Sequence, residues 1–175
     1  MKFEIDVSGS DIFIKNYSIC IAGNGKTESI IKGFKFKKDV IEKITENWVK
    51  GEYKYDITDK QKGFFKVRLY CIILHYLFKS INVSEKLSLT ICRDFHGHKN
   101  DINMNLKYLL EKELKLTLGK PQHQKLAKTS NAHRYANLMY NDTSNKLGIY
   151  VNISLKDIEK YLIKKVTPKG LSTES

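Results

Sequence analysis

Lys2-Phe3-Glu4-Ile5-Asp6-Val7-Ser8-Gly9-Ser10-Asp11 opens the chain. Phe3, Ile5 and Val7 alternate with Glu4 and Asp6, the period of a strand with one face in a core. Ser8-Gly9-Ser10-Asp11 is turn chemistry. Asp6 therefore stands on the polar face of a first strand, just before the chain turns back.

Outward from that strand, residues 12–22 are rich in Ile, Phe and Tyr and predict a second strand. Gly23-Asn24-Gly25-Lys26 reads as a hairpin turn and residues 29–36 as a third strand, so the chain begins as an antiparallel meander. Asp39 is placed to cap a helix over 40–50 with Ile41, Ile44, Trp48 and Val49 as its apolar stripe. After a polar loop over 51–63, the apolar stretch 64–80 predicts a buried helix. Residues 87–94 alternate again as a fourth strand. A helix over 103–117 follows, with Leu106, Leu109, Leu110 and Leu114 at helical spacing. Residues 122–128 suggest a short fifth strand. Ser130 caps a helix over 131–140 and Ser154 one over 155–165. The expected domain spans 1–166, with 167–175 as a flexible tail. Strands first and alternating elements afterwards point to an α/β fold with a mixed sheet under helical cover.

The 175 residues are 41% hydrophobic, enough for one proper core, and carry a formal charge of +12. Such a field attracts polyanions, of which nucleic acid is the commonest inside cells. Codon bias in an AT-rich genome produces the same Lys, Ile and Asn excess, so charge narrows the partner only together with a site. The acidic, strand-like start lacks the apolar run of a secretory leader. The stretch Phe64–Phe78 carries Lys66, Arg68 and His75 and is too short to span a membrane, which takes roughly 20 residues. Cys20, Cys71 and Cys92 are odd in number and set among apolar neighbours, as expected of free thiols in a reducing, cytoplasmic setting.

Parity brings two acids together. Asp6 shares a face with Glu4 and Ser8. Asp94 shares one with Ser88, Thr90 and Cys92. If strands one and four lie parallel and adjacent, both carboxylates project from one face. They then repel unless a cation sits between them, and hard oxygen donors suit Mg²⁺ or Mn²⁺. Taken singly, each Asp also fits a turn at a strand end. His133 falls in the first turn of the helix capped by Ser130, where the positive helix end and Arg134 favour a neutral, ligating ring; a solvated or capping histidine reads equally well.

Asp6-Val7-Ser8-Gly9-Ser10, Tyr17 to Ala22, the Gly-Lys turn and Ile30 to Phe36 together resemble the first three strands of type 1 ribonuclease H. Ser88-Leu89-Thr90-Ile91-Cys92-Arg93-Asp94 resembles that family's fourth strand, and Ser130-Asn131-Ala132-His133-Arg134-Tyr135-Ala136 its late helix. The resemblance covers about residues 3–140. It implies a ribonuclease H-like five-stranded sheet and a metal-dependent nuclease acting on RNA, RNA–DNA hybrid or structured DNA. Its catalytic and metal-binding set would be Asp6, Asp94 and His133, similar to the Asp–Asp–His set of Piwi and Argonaute nucleases. It further implies two cations about 4 Å apart, one activating water and one stabilising the leaving 3′ oxygen. Lys128, just before the late helix, could bind the scissile phosphate; a solvated surface lysine is the other reading. The family's glutamate on the helix before strand four has no counterpart in Phe65-Lys66-Val67-Arg68-Leu69-Tyr70-Cys71-Ile72. Glu42, Glu46, Glu52, Asp56, Asp59 and Asp101 are acids elsewhere, none at the matching position. A non-catalytic nucleic-acid- or protein-binding module of the same fold is therefore the alternative.

Asp94-Phe95-His96-Gly97-His98-Lys99-Asn100-Asp101 holds a further candidate. His96-x-His98 with Asp101 invites a zinc-hydrolase reading. However, a His-x-His-x-Asp-His pattern would need its acid one residue earlier. A strand-end loop from which His96 or His98 assists the metal site, or a plain polar turn, fits the same residues.

Overall fold

The computed structural model describes residues 1–163. Five strands form one mixed sheet: β1 Lys2–Ser8, β2 Ser18–Asn24, β3 Ile31–Lys35, β4 Ser88–Ile91 and β5 Gln122–His123. Their order is β3-β2-β1-β4-β5. The first three are antiparallel, and β4 and β5 run parallel to β1. The helices are α1 Lys38–Val49, α2 Asp59–Lys79, α3 Lys99–Leu106, α4 Asn131–Asn141 and α5 Leu155–Glu159. Among the described residues, no helix is long and apolar enough to cross a membrane.

The two faces of the sheet bury different chemistry. Phe3, Ile5, Ile19 and Ile21 point into the main core with α2, whose Phe65, Val67, Leu69, Ile72, Ile73 and Phe78 are fully buried. The other face carries small groups. Cys20 packs with Ala136 and Met139, and Ala22 with Ala132. A side chain at Gly33 would put its Cβ 2.3 Å from Met139 Sδ. This seam lets α4 lie close on β1 and β2, and close backbone approach is what small residues permit.

Several boundaries differ from expectation for local reasons. The second strand starts at Ser18, not at 12. Asp11 Oδ1 accepts a hydrogen bond from Phe13 N, Asp11 O accepts one from Ile14 N, and Asn16 has φ 70°. Turn chemistry overrides the β-propensity of Ile12-Phe13-Ile14. Helix α1 begins after Lys37, with Asp39 inside its first turn, and Val49 is 61% exposed instead of lining the stripe. Helix α2 starts at Asp59 because Thr58 caps it, accepting from Gln61 N. The fourth strand ends at Ile91, short of Asp94. The helix expected over 103–117 begins at Lys99 and loosens into a wider π turn over Lys107–Glu113, before Lys115 adopts φ 59°. The fifth strand keeps two residues. Helix α5 ends at Glu159. The tail expected over 167–175 lies outside the described residues.

Candidate metal centre

The site is built where β1, β4 and α4 meet. The β1–β4 register pairs Lys2 with Ser88 and Ile5 with Ile91, and Cys92 N donates to Ile5 O at 3.0 Å. That ladder carries Cys92 to the level of Asp6. Asp94 then arrives through a tight turn, its N–H donating to Cys92 O at 3.1 Å. The expected pairing of strand faces thus describes Cys92, while Asp94 reaches the same place from beyond the strand.

Asp6 is 3% exposed. Its Oδ1 accepts from Val7 N at 2.9 Å, and its Oδ2 lies 2.8 Å from His133 Nδ1. Facing a carboxylate, that nitrogen carries the proton and donates. Helix α4 holds the ring there through Ser130, whose Oγ accepts from His133 N at 3.4 Å and donates to Glu4 Oε2 at 2.6 Å. The same serine starts the helix and ties it to β1.

Ligand atoms of Asp6, Cys92 and Asp94 all lie within 4.8 Å of one another, the one such group among the described residues. His133 is outside this group; it braces Asp6 instead. The carboxyl of Asp94 is pushed up to about 6, first by loss of water and then by the charge of Asp6, against the pull of Cys92, His96 and His133. Asp94 is nevertheless an exposed residue, so the crowding comes from the side of Asp6 and Cys92 alone. Burial and the two carboxylates hold the Cys92 thiol up at about 12, so it stays protonated near neutrality. Two carboxylates packed against their mutual repulsion form a donor set that fits a small divalent cation. A neutral thiol beside them is a poor partner for so hard an ion.

The remaining candidates separate. His96 is exposed and close enough to Asp94 to draw its pKa down. His98 turns away: its Nδ1 is 2.9 Å from Asp101 Oδ2, its ring meets Phe64 edge-on at 5.5 Å, and it leaves no room for a Cβ on Gly63. His98 and Asp101 thus join α3 to α2, and the described residues hold no zinc-like group around the His-x-His pair. Lys128 is exposed on the segment before α4. Glu42 pairs with Lys38, and Glu46 with Lys43 and with Lys50 just past the end of α1.

Three neighbours escaped the sequence reading. Cys92 was visible in the parity of its strand but read as a core thiol. On α2, Tyr70 lies near the acids, and Lys66, one helical turn earlier, lines a cleft together with Asp94. Tyr70 is fully buried against Phe95 at 5.0 Å, and burial, with Asp94 and Asp6 among smaller causes, raises its phenol far above the usual range. Lys66 pairs with Asp11. Gly9, at φ 121°, turns the chain beside Tyr17, and a cleft of about 250 Å³ opens between Gly9, Asp11, Tyr17, Lys66, Asp94 and Phe95. Compared with protein-family models, curated proteins and solved structures, the chain matches none.

Proposed function

We propose that the protein is a ribonuclease H-like nuclease that hydrolyses phosphodiester bonds with Mg²⁺ or Mn²⁺ held between Asp6 and Asp94. One observation carries this reading: Asp6 on β1 and Asp94, just beyond the end of the adjacent parallel β4, stand together, with His133 bonded to Asp6 from α4, which packs on the same face of the sheet. The strand order β3-β2-β1-β4-β5 and the charge of +12 agree with it. When bound, the cation would polarise the phosphate and favour ionisation of an attacking water. Asp6 and Asp94 bind it. His133 keeps the Asp6 carboxylate oriented, as partners of metal-binding groups commonly do.

The substrate class we favour is RNA or an RNA–DNA hybrid, with structured DNA the other candidate. Incubating the pure protein with single-stranded RNA, hybrid and duplex DNA in Mn²⁺ tests the reading. Cleavage abolished by Asp6→Asn and by Asp94→Asn is expected; cleavage that survives Asp6→Asn discards the site.

A second reading is a non-catalytic module of the same fold. It is favoured by α2, which brings Tyr70 near the acids and Lys66 into the cleft lined by Asp94, and adds no carboxylate there. It predicts binding to nucleic acid that weakens steeply with salt, and no turnover in any metal.

A further inference from the structure

We propose that the site works with one divalent cation, and that the ammonium group of Lys66 supplies the second positive charge at the scissile phosphate. This rests on the phosphodiesterase reading above. A pair of cations shares a bridging carboxylate, and both oxygens of Asp6 are already engaged, Oδ1 by Val7 N and Oδ2 by His133 Nδ1. Among the described residues, one group of three ligand-type atoms exists, and its third member is the thiol of Cys92. Asp6 and Asp94 suffice for one ion, since Mg²⁺ is commonly held by one or two carboxylates, with waters and substrate phosphate completing its shell.

What stands on α2 in place of another acid is a cation. Lys66 lines the same cleft as Asp94, with its Nζ 5.6 Å from the ring centre of Phe13. It is held by Asp11 Oδ2, and Asp11 is itself fixed by Phe13 N–H on Oδ1. The pair is only partly exposed, so Lys66 is held at the cleft wall before substrate arrives. A phosphate oxygen can take the place of the Asp11 carboxylate, exchanging one anion for another. During hydrolysis the water oxygen bonds to phosphorus and the P–O3′ bond breaks. The electron pair goes to the 3′ oxygen, which solvent protonates, while a water proton is released to solvent. Lys66 keeps its proton and acts by charge on the phosphoryl oxygens, as pre-positioned donors do.

Calorimetric titration with Mn²⁺, paired with cleavage assays, tests this. The wild type is expected to bind one ion per chain, and Asp6→Asn none. Lys66→Ala and Lys66→Met should bind one ion with unchanged affinity yet cleave about a hundredfold more slowly, the scale of one lost stabilising donor. Lys66→Met keeps an unbranched apolar stem and guards against a folding defect. Lys66→Arg should restore most of the rate. Lys66→Glu combined with Asp11→Asn supplies the missing acid and should bind a second ion. Two ions in the wild type, or wild-type cleavage in both Lys66→Ala and Lys66→Met, would overturn the role of Lys66 and leave the nuclease reading standing. No Mn²⁺ bound to the wild type, or cleavage that survives Asp6→Asn, would overturn both.

Discussion

His133 Nδ1 lies 2.8 Å from Asp6 Oδ2, although the two residues are 127 positions apart in the chain. Contact across that distance depends on the small-residue seam of Cys20, Ala22, Gly33, Ala132 and Ala136, which lets α4 settle on the sheet. The bond partners a buried carboxylate whose other oxygen already accepts from Val7 N. Hydrogen bonds to charged groups contribute roughly 1.5–3 kcal/mol, and the half-exposed ring places this one at the lower end. His133→Ala is therefore expected to lower stability by about 1.5 kcal/mol and to weaken Mn²⁺ binding without abolishing it. Urea unfolding and Mn²⁺ calorimetry on the same variant read the two effects separately.

Asp6 and Asp94 are expected to trade stability for binding. Their repulsion helps push the Asp94 carboxyl up to about 6. Replacing Asp6 by Asn removes one charge and keeps the shape. In metal-free buffer, Asp6→Asn should melt at or above the wild-type temperature. Added Mn²⁺ should raise the melting temperature of the wild type and leave the variant unmoved. A variant that melts well below the wild type without metal would mean that Asp6 is a structural anchor.

The same repulsion gives a signed pH dependence. An unfolded aspartate titrates at about 3.9, whereas folded Asp94 holds its proton to about 6. Between those values the folded state binds more protons than the unfolded one, so Asp94 makes stability fall as pH rises. The penalty is absent below about pH 4 and complete above about 6. Unfolding free energies of the metal-free wild type and Asp94→Asn, compared across this window, should diverge in favour of the variant and then run parallel. Apparent Mn²⁺ affinity of the wild type should drop below about pH 6, where protons compete for the carboxylate.

Local signals were legible in the sequence, and long-range ones less so. The alternation of Phe3, Ile5 and Val7, the hairpin at Gly23–Lys26 and the Ser130 cap each depend on neighbours within four residues. They set β1 and α4 close to where they lie and the end of β2 to within two residues, whereas the start of β2 falls at Ser18 and not at 12. Asp6, Asp94 and His133 could be singled out because strand faces and helix starts have fixed directions. The end of β4 could not be read, because Arg93 and Asp94 continue the alternation of the strand while the chain turns at Cys92. The Lys66–Asp11 pair joins residues 55 apart, and no periodicity encodes it. Cys92 looked like a core thiol because Leu89 and Ile91 precede it on the strand, although Arg93 and Asp94 follow it; the other acid beside it, Asp6, comes from β1.

The seam itself should respond to volume. Ala136 is fully buried against Cys20 and Met139. Ala136→Leu adds three carbon atoms where the helix meets the sheet, and overpacking of this kind costs about 1–3 kcal/mol. Any outward shift of α4 lengthens the His133–Asp6 bond. The variant should therefore lose Mn²⁺ affinity as well as stability, whereas a core change away from the seam, such as Leu74→Ala, should lose stability with Mn²⁺ affinity retained in the folded fraction. Equal Mn²⁺ affinity in folded Ala136→Leu and wild type would detach α4 from the site.

His98 and Asp101 should behave as a structural pair. His98 stands at the start of α3, its Nδ1 bonded to Asp101 and its ring against Phe64 on α2. Both side chains are about a quarter exposed, so the bond is screened and its loss should cost about 1 kcal/mol or less. His98→Ala and Asp101→Asn are therefore expected to lower the denaturation midpoint slightly and to leave the Mn²⁺ affinity of the folded protein unchanged. In a double-mutant cycle, the two changes should add up to less than the sum of their separate effects, because each removes the same bond. Stoichiometric zinc in protein purified without chelator, lost in His98→Ala, would reverse this assignment and return the His-x-His segment to metal chemistry.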